Sequence, residues 1–383
     1  MRFAIVGAGP AGCHLAHRLR STAAVPVAAC ACTCPAASTG GVGTGSAGHE
    51  ILLFDPRAPY EKPCGGGLGP LVGQHIPDVL TLPFPRHSPR RLLLRASDGS
   101  QVERAFERPP WAIVSRADLG RALLERALRS IPAGTGYSAA AVPVANGNVH
   151  LLRQQVVNVE RTGDGWCVYT TSGQAFEADF LVGADGVRSI VRRQVVGPIP
   201  RQHLGLTVGY RVRGAPDAPG VSDLAALEGH LWSFPRSDHA SVGIGSRLGA
   251  VPARELWQRL DRFFDDVCPG ASREGRWAAL LPMAGDPTLW DTPCAGPGWA
   301  LLGDAAGHVQ PITGEGIAYA LWSADLLAQA FAEGNPLAYE ELWRARYGQG
   351  FVSASETLRQ STASNVGAYE VLFHLGLVTA GLG

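Results

Sequence analysis

Glycine and acidic residues follow apolar runs at separated places in the chain, where they could bind a nucleotide. Gly7, Gly9 and Gly12 follow the run 2–6 with the spacing GxGxxG. In this pattern the first glycine makes a tight turn, the second lets a pyrophosphate approach the backbone, and the third allows a helix to pack closely on a strand. Asp55 ends the next apolar run, where a carboxylate can accept a hydrogen bond from a ribose hydroxyl. The residues therefore favour a dinucleotide site, and the alternative is an ordinary turn.

Two later runs also end in glycine paired with an acid. The run 179–184 is followed by Asp185 and Gly186, and the run 298–302 is followed by Gly303 and Asp304. Ligands of doubly wound sheets bind beyond the carboxyl ends of the strands, so we expect all of these ends to face one crevice. The sequence thus predicts an α/β fold.

The hydrophobic pattern predicts the elements that position these residues. Alternation over 155–176 predicts an antiparallel meander, and further strands are expected at 204–213, 230–235 and 240–246. Helices are expected at 117–131, at 187–193, at 253–264, from Glu315 as a long amphipathic helix, and from Leu337. Asp55 lies 43 residues after Gly12, where about 20 are typical. We therefore interpret residues 21–48 as an insertion, and residues 132–149 as a second one.

Composition narrows the function classes. The chain has 383 residues, with 33 Lys and Arg against 33 Asp and Glu. This balance offers no basic surface, so we expect no nucleic acid partner. A strand starting at residue 2 predicts a cytoplasmic protein, and the apolar stretch 369–383 leaves peripheral membrane contact open. We interpret Cys30, Cys32 and Cys34 as apolar filler, with a metal or redox site as the alternative, and we expect no metal.

Several longer motifs resemble a known class of proteins. They are GAGPAG at 7–12, ADGVRS at 184–189 and GDAAGHVQPITGEGI at 303–317. The chain resembles the two-domain flavoprotein class of the aromatic hydroxylases and geranylgeranyl reductases. YEKPCGGGL at 60–68 and HLWSFP at 230–235 are most similar to the geranylgeranyl reductase branch, although His230 stands where that branch usually has tyrosine.

The resemblance implies a Rossmann-type FAD-binding domain with an inserted antiparallel-sheet substrate domain and C-terminal helices. The expected boundaries are 1–89, 108–202 and 286–340 for the FAD domain, 90–107 and 203–285 for the substrate domain, and 341–383 for the helical segment. FAD is the expected cofactor, and NAD(P)H is the expected electron donor.

The resemblance also implies a role for each motif residue. The FAD diphosphate would lie at the helix near Ala11, and Asp55 would bind the adenosine ribose. Asp304 would bind the ribitol. The other cofactor residues implied are Gly7, Gly9, Gly12, Arg116, Val156, Gly303, Gly314, Gly316 and Ile317. The alternative for Arg116 is an ordinary solvated charge at the start of a helix, with no contact to the cofactor. Asp185 and Gly186 would contact the pyridine nucleotide, with strand termination as the alternative.

Lys62 and Cys64 are the expected catalytic residues. The glycines that follow Cys64 let the backbone run close to a planar ring. Cys64 would donate the proton that alkene reduction needs, since a free thiol is mostly protonated at neutral pH; its alternative is a small residue that fits beside the ring. Lys62 is the only lysine, and its compact ammonium could be required here, although chance explains a single lysine as well.

An apolar motif is expected to contact the substrate. Alternation puts Trp232 and Phe234 on one face of a strand, where they would form a wall for a prenyl chain, with His230 and Pro235 beside them. The alternative is that these side chains belong to the hydrophobic core and contact no ligand. The expected function is therefore reduction of a carbon-carbon double bond in a hydrophobic isoprenoid-type substrate. A monooxygenase on the same fold and a non-catalytic FAD-binding protein are the alternatives.

Overall fold

The computed structural model describes residues 1–21, 48–95, 101–109, 111–129, 148–213, 220–226 and 229–363. Most of the two predicted insertions, Cys30, Cys32, Cys34 and the stretch 369–383 lie outside these ranges. Within them the strands are β1 (Arg2–Val6), β2 (Glu50–Phe54), β3 (Gly67–Leu68), β4 (Arg86–His87), β5 (Arg91–Arg95), β6 (Gln101–Ala105), β7 (Ala112–Val114), β8 (Val149–Leu152), β9 (Val156–Thr162), β10 (Gly165–Thr170), β11 (Ala175–Ala178), β12 (Phe180–Gly183), β13 (Leu204–Arg213), β14 (Gly220–Ala226), β15 (Gly229–Pro235), β16 (Ala240–Arg247), β17 (Ser272–Pro282), β18 (Ala295–Gly296) and β19 (Trp299–Leu301). The α-helices are α1 (Pro10–Ser21), α2 (Pro70–His75), α3 (Arg116–Leu128), α4 (Ile190–Val195), α5 (Ala253–Val267), α6 (Ile317–Ala332), α7 (Tyr339–Trp343) and α8 (Gln349–Ala363).

A six-stranded sheet carries the nucleotide motifs. Its order is β18-β19-β12-β1-β2-β8, and every pair is parallel except β18 with β19. The strands β1, β2 and β12 are almost wholly buried because helices cover a parallel sheet on its faces. Helix α1 packs against α3 and α6. The predicted α/β class with a Rossmann-like sheet is confirmed.

Strands β9, β10 and β11 form the antiparallel meander that alternation predicts. Strand β9 ends at Thr162 and β10 starts at Gly165, so the turn between them has two residues. In this turn Gly163 has φ +58°. Such a turn favours glycine because other residues rarely adopt positive φ.

A seven-stranded sheet, in the order β17-β13-β16-β15-β14-β5-β6, separates two apolar environments. Its pairs are antiparallel except β14 with β5. Side chains alternate across a sheet, so Leu231 and Ile244 pack toward α5, whereas the next residues, Trp232 and Gly245, face a cavity. Strands from 91–105 and 204–282 thus share one sheet, while the exact domain boundaries stay a prediction.

Two predicted helices begin later than expected. The helix expected from residue 187 begins at Ile190, because Gly186 turns the chain with φ +81° and Ser189 caps the helix by accepting the Arg192 N–H at 2.9 Å. The helix expected from Glu315 begins at Ile317, after Gly314 with φ +69°. It is also not amphipathic, since it is buried on most sides between neighbouring helices.

Among the described helices, none is both long and apolar enough to cross a bilayer.

Candidate functional site

A cavity of about 740 Å³ lies between the carboxyl ends of the parallel strands and the seven-stranded sheet. It brings together most of the predicted site residues, which come from every part of the described chain. Those that line it are Gly7, Gly9, Ala11, Asp55, Lys62, Cys64, Arg116, Asp185, Gly186, His230, Trp232, Phe234, Gly303, Asp304, Gly314, Gly316 and Ile317. Gly12, Val156 and Pro235 do not line it. Their functional roles, like those of the lining residues, stay predictions.

The glycines of the first motif have separate physical reasons. A Cβ on Gly12 would lie 1.9 Å from the Gly7 carbonyl oxygen, and one on Gly7 would lie 2.4 Å from the Ala184 carbonyl oxygen. These two glycines therefore allow α1, β1 and β12 to pack closely. A Cβ on Gly9 would meet no atom within 4 Å, so this backbone is open to the cavity at the start of α1. An open glycine at a helix N-terminus fits the diphosphate of a dinucleotide.

Asp55 holds the turn that follows β2. One carboxylate oxygen accepts the Ala8 N–H at 3.0 Å, and the other accepts the N–H groups of Arg57 and Ala58 at 2.8 and 2.9 Å. The oxygen that accepts the Ala8 N–H has a second lone pair free, so the side chain can still accept a hydrogen bond from a hydroxyl group. Val156 is buried at the start of β9, outside the cavity.

Asp304 follows β19 and is paired with the only lysine. The Lys62 Nζ lies 2.9 Å from Asp304 Oδ2. Burial alone would raise the pKa of Asp304, but the charges of Lys62 and Arg116 hold it below its usual value. The carboxylate predicted to bind ribitol is therefore ionised.

Arg116 begins α3 and acts on Cys64. Burial would raise the pKa of the Cys64 thiol, but the Arg116 charge and the Gly66 N–H, which donates to Sγ at 3.3 Å, lower it overall. Arg116 is thus part of the cavity wall rather than a charge in solvent. The same contacts stabilise the thiolate relative to the thiol.

A buried arginine that the sequence analysis missed holds this segment in place. Arg236 forms an ion pair with Glu61 and donates to the Cys64 carbonyl oxygen at 2.7 Å. Glu61 in turn accepts the Ser115 hydroxyl at 2.6 Å and the Ala117 N–H at 3.0 Å at the start of α3. Burial opposes ionisation of Glu61, but Arg236 and these hydrogen bonds lower its pKa to about 2. Only the position of Arg236, directly after Pro235, could have suggested it.

The apolar wall of Trp232 and Phe234 contacts residues 62–67, here called the glycine segment, directly. A Cβ on Gly65 would lie 2.8 Å from Phe234 Cδ2 and 3.3 Å from Trp232 Nε1. Trp232 lies across Gly243, where a Cβ would be 2.3 Å from its ring. Burial in this apolar wall lowers the pKa of His230 to about 4, so the ring is neutral at neutral pH. Pro235 pairs with Ala240 at the end of β15.

Asp185 takes part in local structure at the cavity edge. Its Oδ2 accepts the Ile190 N–H at 2.7 Å, which supports the strand-termination alternative. Its Oδ1 is buried with no hydrogen-bond partner among the described residues, and burial raises the pKa of this carboxyl. The predicted nucleotide contact stays a prediction.

Glu315 is a second residue that the sequence analysis did not single out as part of the site. It stands between Gly314 and Gly316 and lines the cavity. Burial raises its pKa to about 7, against a hydrogen bond from the Gly69 backbone. Nothing local marks it, because a glutamate in a glycine turn is usually solvated.

Comparisons with known proteins agree with the resemblance. Menaquinone reductase of Mycolicibacterium smegmatis is 28% identical over 346 residues, which cover 83% of this chain and 80% of the relative. Digeranylgeranylglycerophospholipid reductase 2 of Methanothermobacter thermautotrophicus is 27% identical over 337 residues, 82% of each chain. A 3-amino-4-hydroxybenzoate 2-monooxygenase of Streptomyces platensis is 30% identical over 253 residues, 61% of this chain and 59% of the relative. No protein-family model matches the chain.

Solved structures share the fold. A geranylgeranyl bacteriochlorophyll reductase-like protein of Thermoplasma acidophilum has a TM-score of 0.71 at 19% identity, over 99% of this chain and 91% of that one. HpxO of Klebsiella pneumoniae, solved with FAD and uric acid, has a TM-score of 0.64 at 18% identity, over 100% and 95% of the two chains. The chain is therefore similar in sequence to geranylgeranyl reductase-type proteins, and it shares the two-domain flavoprotein fold that they have in common with FAD-dependent monooxygenases.

Proposed function

We propose that this protein is an FAD-dependent oxidoreductase that reduces a carbon-carbon double bond in a hydrophobic isoprenoid-type substrate. The observation that carries the proposal is the contact between the apolar wall and the glycine segment. Trp232 and Phe234 meet Gly65 on one side of a cavity whose other side carries the open backbone of Gly9. A cavity with an apolar wall and a few polar groups suits a lipid chain beside a cofactor.

The residues of the cavity fit FAD. Gly9 and the first N–H groups of α1 would hold the diphosphate, and Asp55 would accept the ribose hydroxyl. Asp304, ionised beside Lys62, would bind the ribitol. The turn before α6 would direct the positive end of that helix toward the pyrimidine.

The relatives support the substrate class. Two relatives are named after menaquinone and digeranylgeranylglycerophospholipid, and both of these compounds carry a polyisoprenyl chain. Such a chain is apolar and has isolated double bonds, which matches the wall formed by Trp232 and Phe234. When bound and reduced by NAD(P)H, FAD supplies hydride. The chain's own residues orient the alkene, exclude water and provide a proton.

The test is a single turnover without oxygen. We expect purified protein to show the visible absorption of FAD, to be reduced by NAD(P)H or by light, and to be reoxidised by geranylgeraniol, which has no quinone ring that could accept the electrons instead. Mass spectrometry should find the product heavier by two hydrogens in the chain. The matched control is the fully saturated chain, which must not reoxidise the flavin. Protein that binds no FAD, or reduced protein that no polyprenyl alkene reoxidises, would contradict the proposal.

A monooxygenase is the second candidate, which the relative named 3-amino-4-hydroxybenzoate 2-monooxygenase favours. It predicts reaction of the reduced protein with oxygen and a product that contains an oxygen atom from ¹⁸O₂. A protein that binds FAD but reacts with neither alkene nor oxygen-dependent substrate would be the non-catalytic alternative.

A further inference from the structure

Glu315 places a carboxyl group on the cavity wall where three parts of the molecule meet. A Cβ on Gly69, which follows the glycine segment, would lie 2.6 Å from Glu315 Oε1. A Cβ on the preceding residue, Gly314, would lie 3.7 Å from Leu281 of β17, and one on the following residue, Gly316, would lie 3.4 Å from Asp304 Oδ1. The turn that carries Glu315 is therefore next to the seven-stranded sheet and to Asp304, and the carboxyl group itself is next to Gly69.

The surroundings of this carboxyl group disfavour its charge. Glu315 Oε1 is buried and has no hydrogen-bond partner among the described residues. None of the ion pairs between described side chains includes Glu315. The nearby cations are used elsewhere, since Lys62 pairs with Asp304 and Arg236 pairs with Glu61. A buried carboxylate without a cation is costly, so the surroundings favour the protonated form.

One titratable side chain and one backbone group bear on Glu315. Tyr319, one turn later on α6, has a raised pKa, first through burial and then through the Glu315 charge, so it is neutral and adds no charge at neutral pH. The backbone N–H of Gly69, directly after the glycine segment and Leu68, donates to the carboxyl group and favours the ionised form, against the larger effect of burial. Arg116 and Asp304 lie in the same cavity but act chiefly on Cys64 and Lys62. Burial therefore decides the protonation of Glu315.

We propose that Glu315, rather than Cys64, donates the proton in alkene reduction, an inference that rests on the proposed function. When FAD is bound and reduced, it would supply a hydride, that is two electrons and one hydrogen, to one alkene carbon. The other carbon gains the proton that leaves the Glu315 carboxyl group, and the remaining carboxylate takes a proton from solvent. The double bond becomes a single bond, and two hydrogens are added.

The surroundings of Cys64 and Glu315 shift the pKa values of these two groups in opposite directions. Cys64 faces Arg116 and the Gly66 N–H, which stabilise its deprotonated form. Glu315 faces no cation and is stabilised as the neutral acid. A proton donor must hold its proton at the working pH and have a pKa near it, which Glu315 satisfies.

The test compares Glu315→Gln, which keeps the shape but cannot ionise, with Glu333→Gln as the matched control. Glu333 is exposed at the far end of α6, where it accepts a hydrogen bond from Gln329 at 2.8 Å. Each variant is loaded with FAD, reduced without oxygen and mixed with the polyprenyl alkene that reoxidises the wild type. We expect Glu315→Gln to slow reoxidation about 100-fold or more with unchanged FAD content, and Glu333→Gln to match the wild type.

A second readout does not depend on turnover. Difference infrared spectra over a pH titration should show the C=O band of a protonated carboxylic acid that fades as the pH rises through about 7, and the band should be missing from Glu315→Gln. The inference is overturned if Glu315→Gln is reoxidised as fast as the wild type. It is also overturned if the wild-type titration lacks that band. If the wild type itself is not reoxidised by any polyprenyl alkene, the proposed function fails instead, and the infrared titration still decides whether Glu315 holds a proton.

Discussion

The Lys62 Nζ lies 2.9 Å from Asp304 Oδ2, and this pair joins two motifs that are 242 residues apart in the sequence. It connects the glycine segment after β2 to the turn after β19. Lys62 is the only lysine in the chain, and that the position requires its compact ammonium stays a prediction. The pair therefore fixes the glycine segment against the carboxylate predicted to hold the ribitol.

Lys62→Met should destabilise the protein by about 1–2 kcal/mol at neutral pH, because Asp304 is left buried without its cation. The charges of Lys62 and Arg116 lower the pKa of Asp304 in the folded state, so the stabilisation is present above the unfolded pKa and is lost as the pH falls. The difference from wild type should therefore shrink below about pH 4. Urea unfolding of the FAD-free protein at several pH values measures it. A difference that stays constant with pH would show that the pair is not the cause.

The second prediction concerns Arg236. Arg236→Gln should cost about 3 kcal/mol, because Glu61 loses its cation and the Cys64 carbonyl loses a donor. The matched control is Arg121→Gln, in which an exposed arginine loses a surface pair with Asp118 and which should change stability by less than about 0.5 kcal/mol.

Denaturant unfolding of both variants measures these free energies. In addition, the glycine segment should become more accessible to proteases in Arg236→Gln but not in Arg121→Gln. Equal stability of the two variants would mean that the Arg236 contacts are not held in solution.

The nucleotide end of the fold could be predicted from the sequence, because its determinants are local. The GxGxxG spacing fixes which glycine packs and which stays open, and the apolar runs around it are typical of buried parallel strands. For the same reason, Asp304 and three strands of the seven-stranded sheet, β13, β15 and β16, were found near their predicted positions, whereas its other four strands were not predicted.

The contacts across the cavity could not be predicted in this way. Arg236 and Glu61 are 175 residues apart, and only the packing of the two sheets brings them together. Glu315 looks like a solvated turn residue until the cavity wall is known. The start of α4 at Ile190 depends on the left-handed turn at Gly186, which the sequence pattern around residues 187–193 does not encode.

The third prediction separates the two kinds of glycine in the first motif. Gly12→Ala should unfold the protein or cost at least about 3 kcal/mol, because its Cβ would lie 1.9 Å from the Gly7 carbonyl oxygen. Gly9→Ala should leave stability within about 0.5 kcal/mol, since no atom lies within 4 Å of its Cβ.

The same Gly9→Ala methyl group would project where the diphosphate is expected, so the affinity for FAD should fall at least about 10-fold. Quenching of flavin fluorescence on titration with FAD-free protein measures the affinity. Normal FAD binding by folded Gly9→Ala protein would place the diphosphate elsewhere.

The last prediction concerns the acidity of Cys64. Arg116 and the Gly66 N–H lower the pKa of this thiol despite its burial, so its alkylation should begin at a lower pH than that of a free cysteine, whose pKa is about 8.5. Arg116→Gln should move the alkylation midpoint to higher pH, because the deprotonated sulfur loses its cation. Cys268 is the internal comparison, since burial raises its pKa and its alkylation should need a higher pH in both proteins. Site-resolved mass spectrometry of FAD-free protein after short iodoacetamide pulses measures the alkylation midpoints of Cys64 and Cys268 in the wild type and in Arg116→Gln. If Cys64 and Cys268 react with the same pH dependence, Arg116 does not stabilise a thiolate, and Cys64 returns as a candidate for the proton donor.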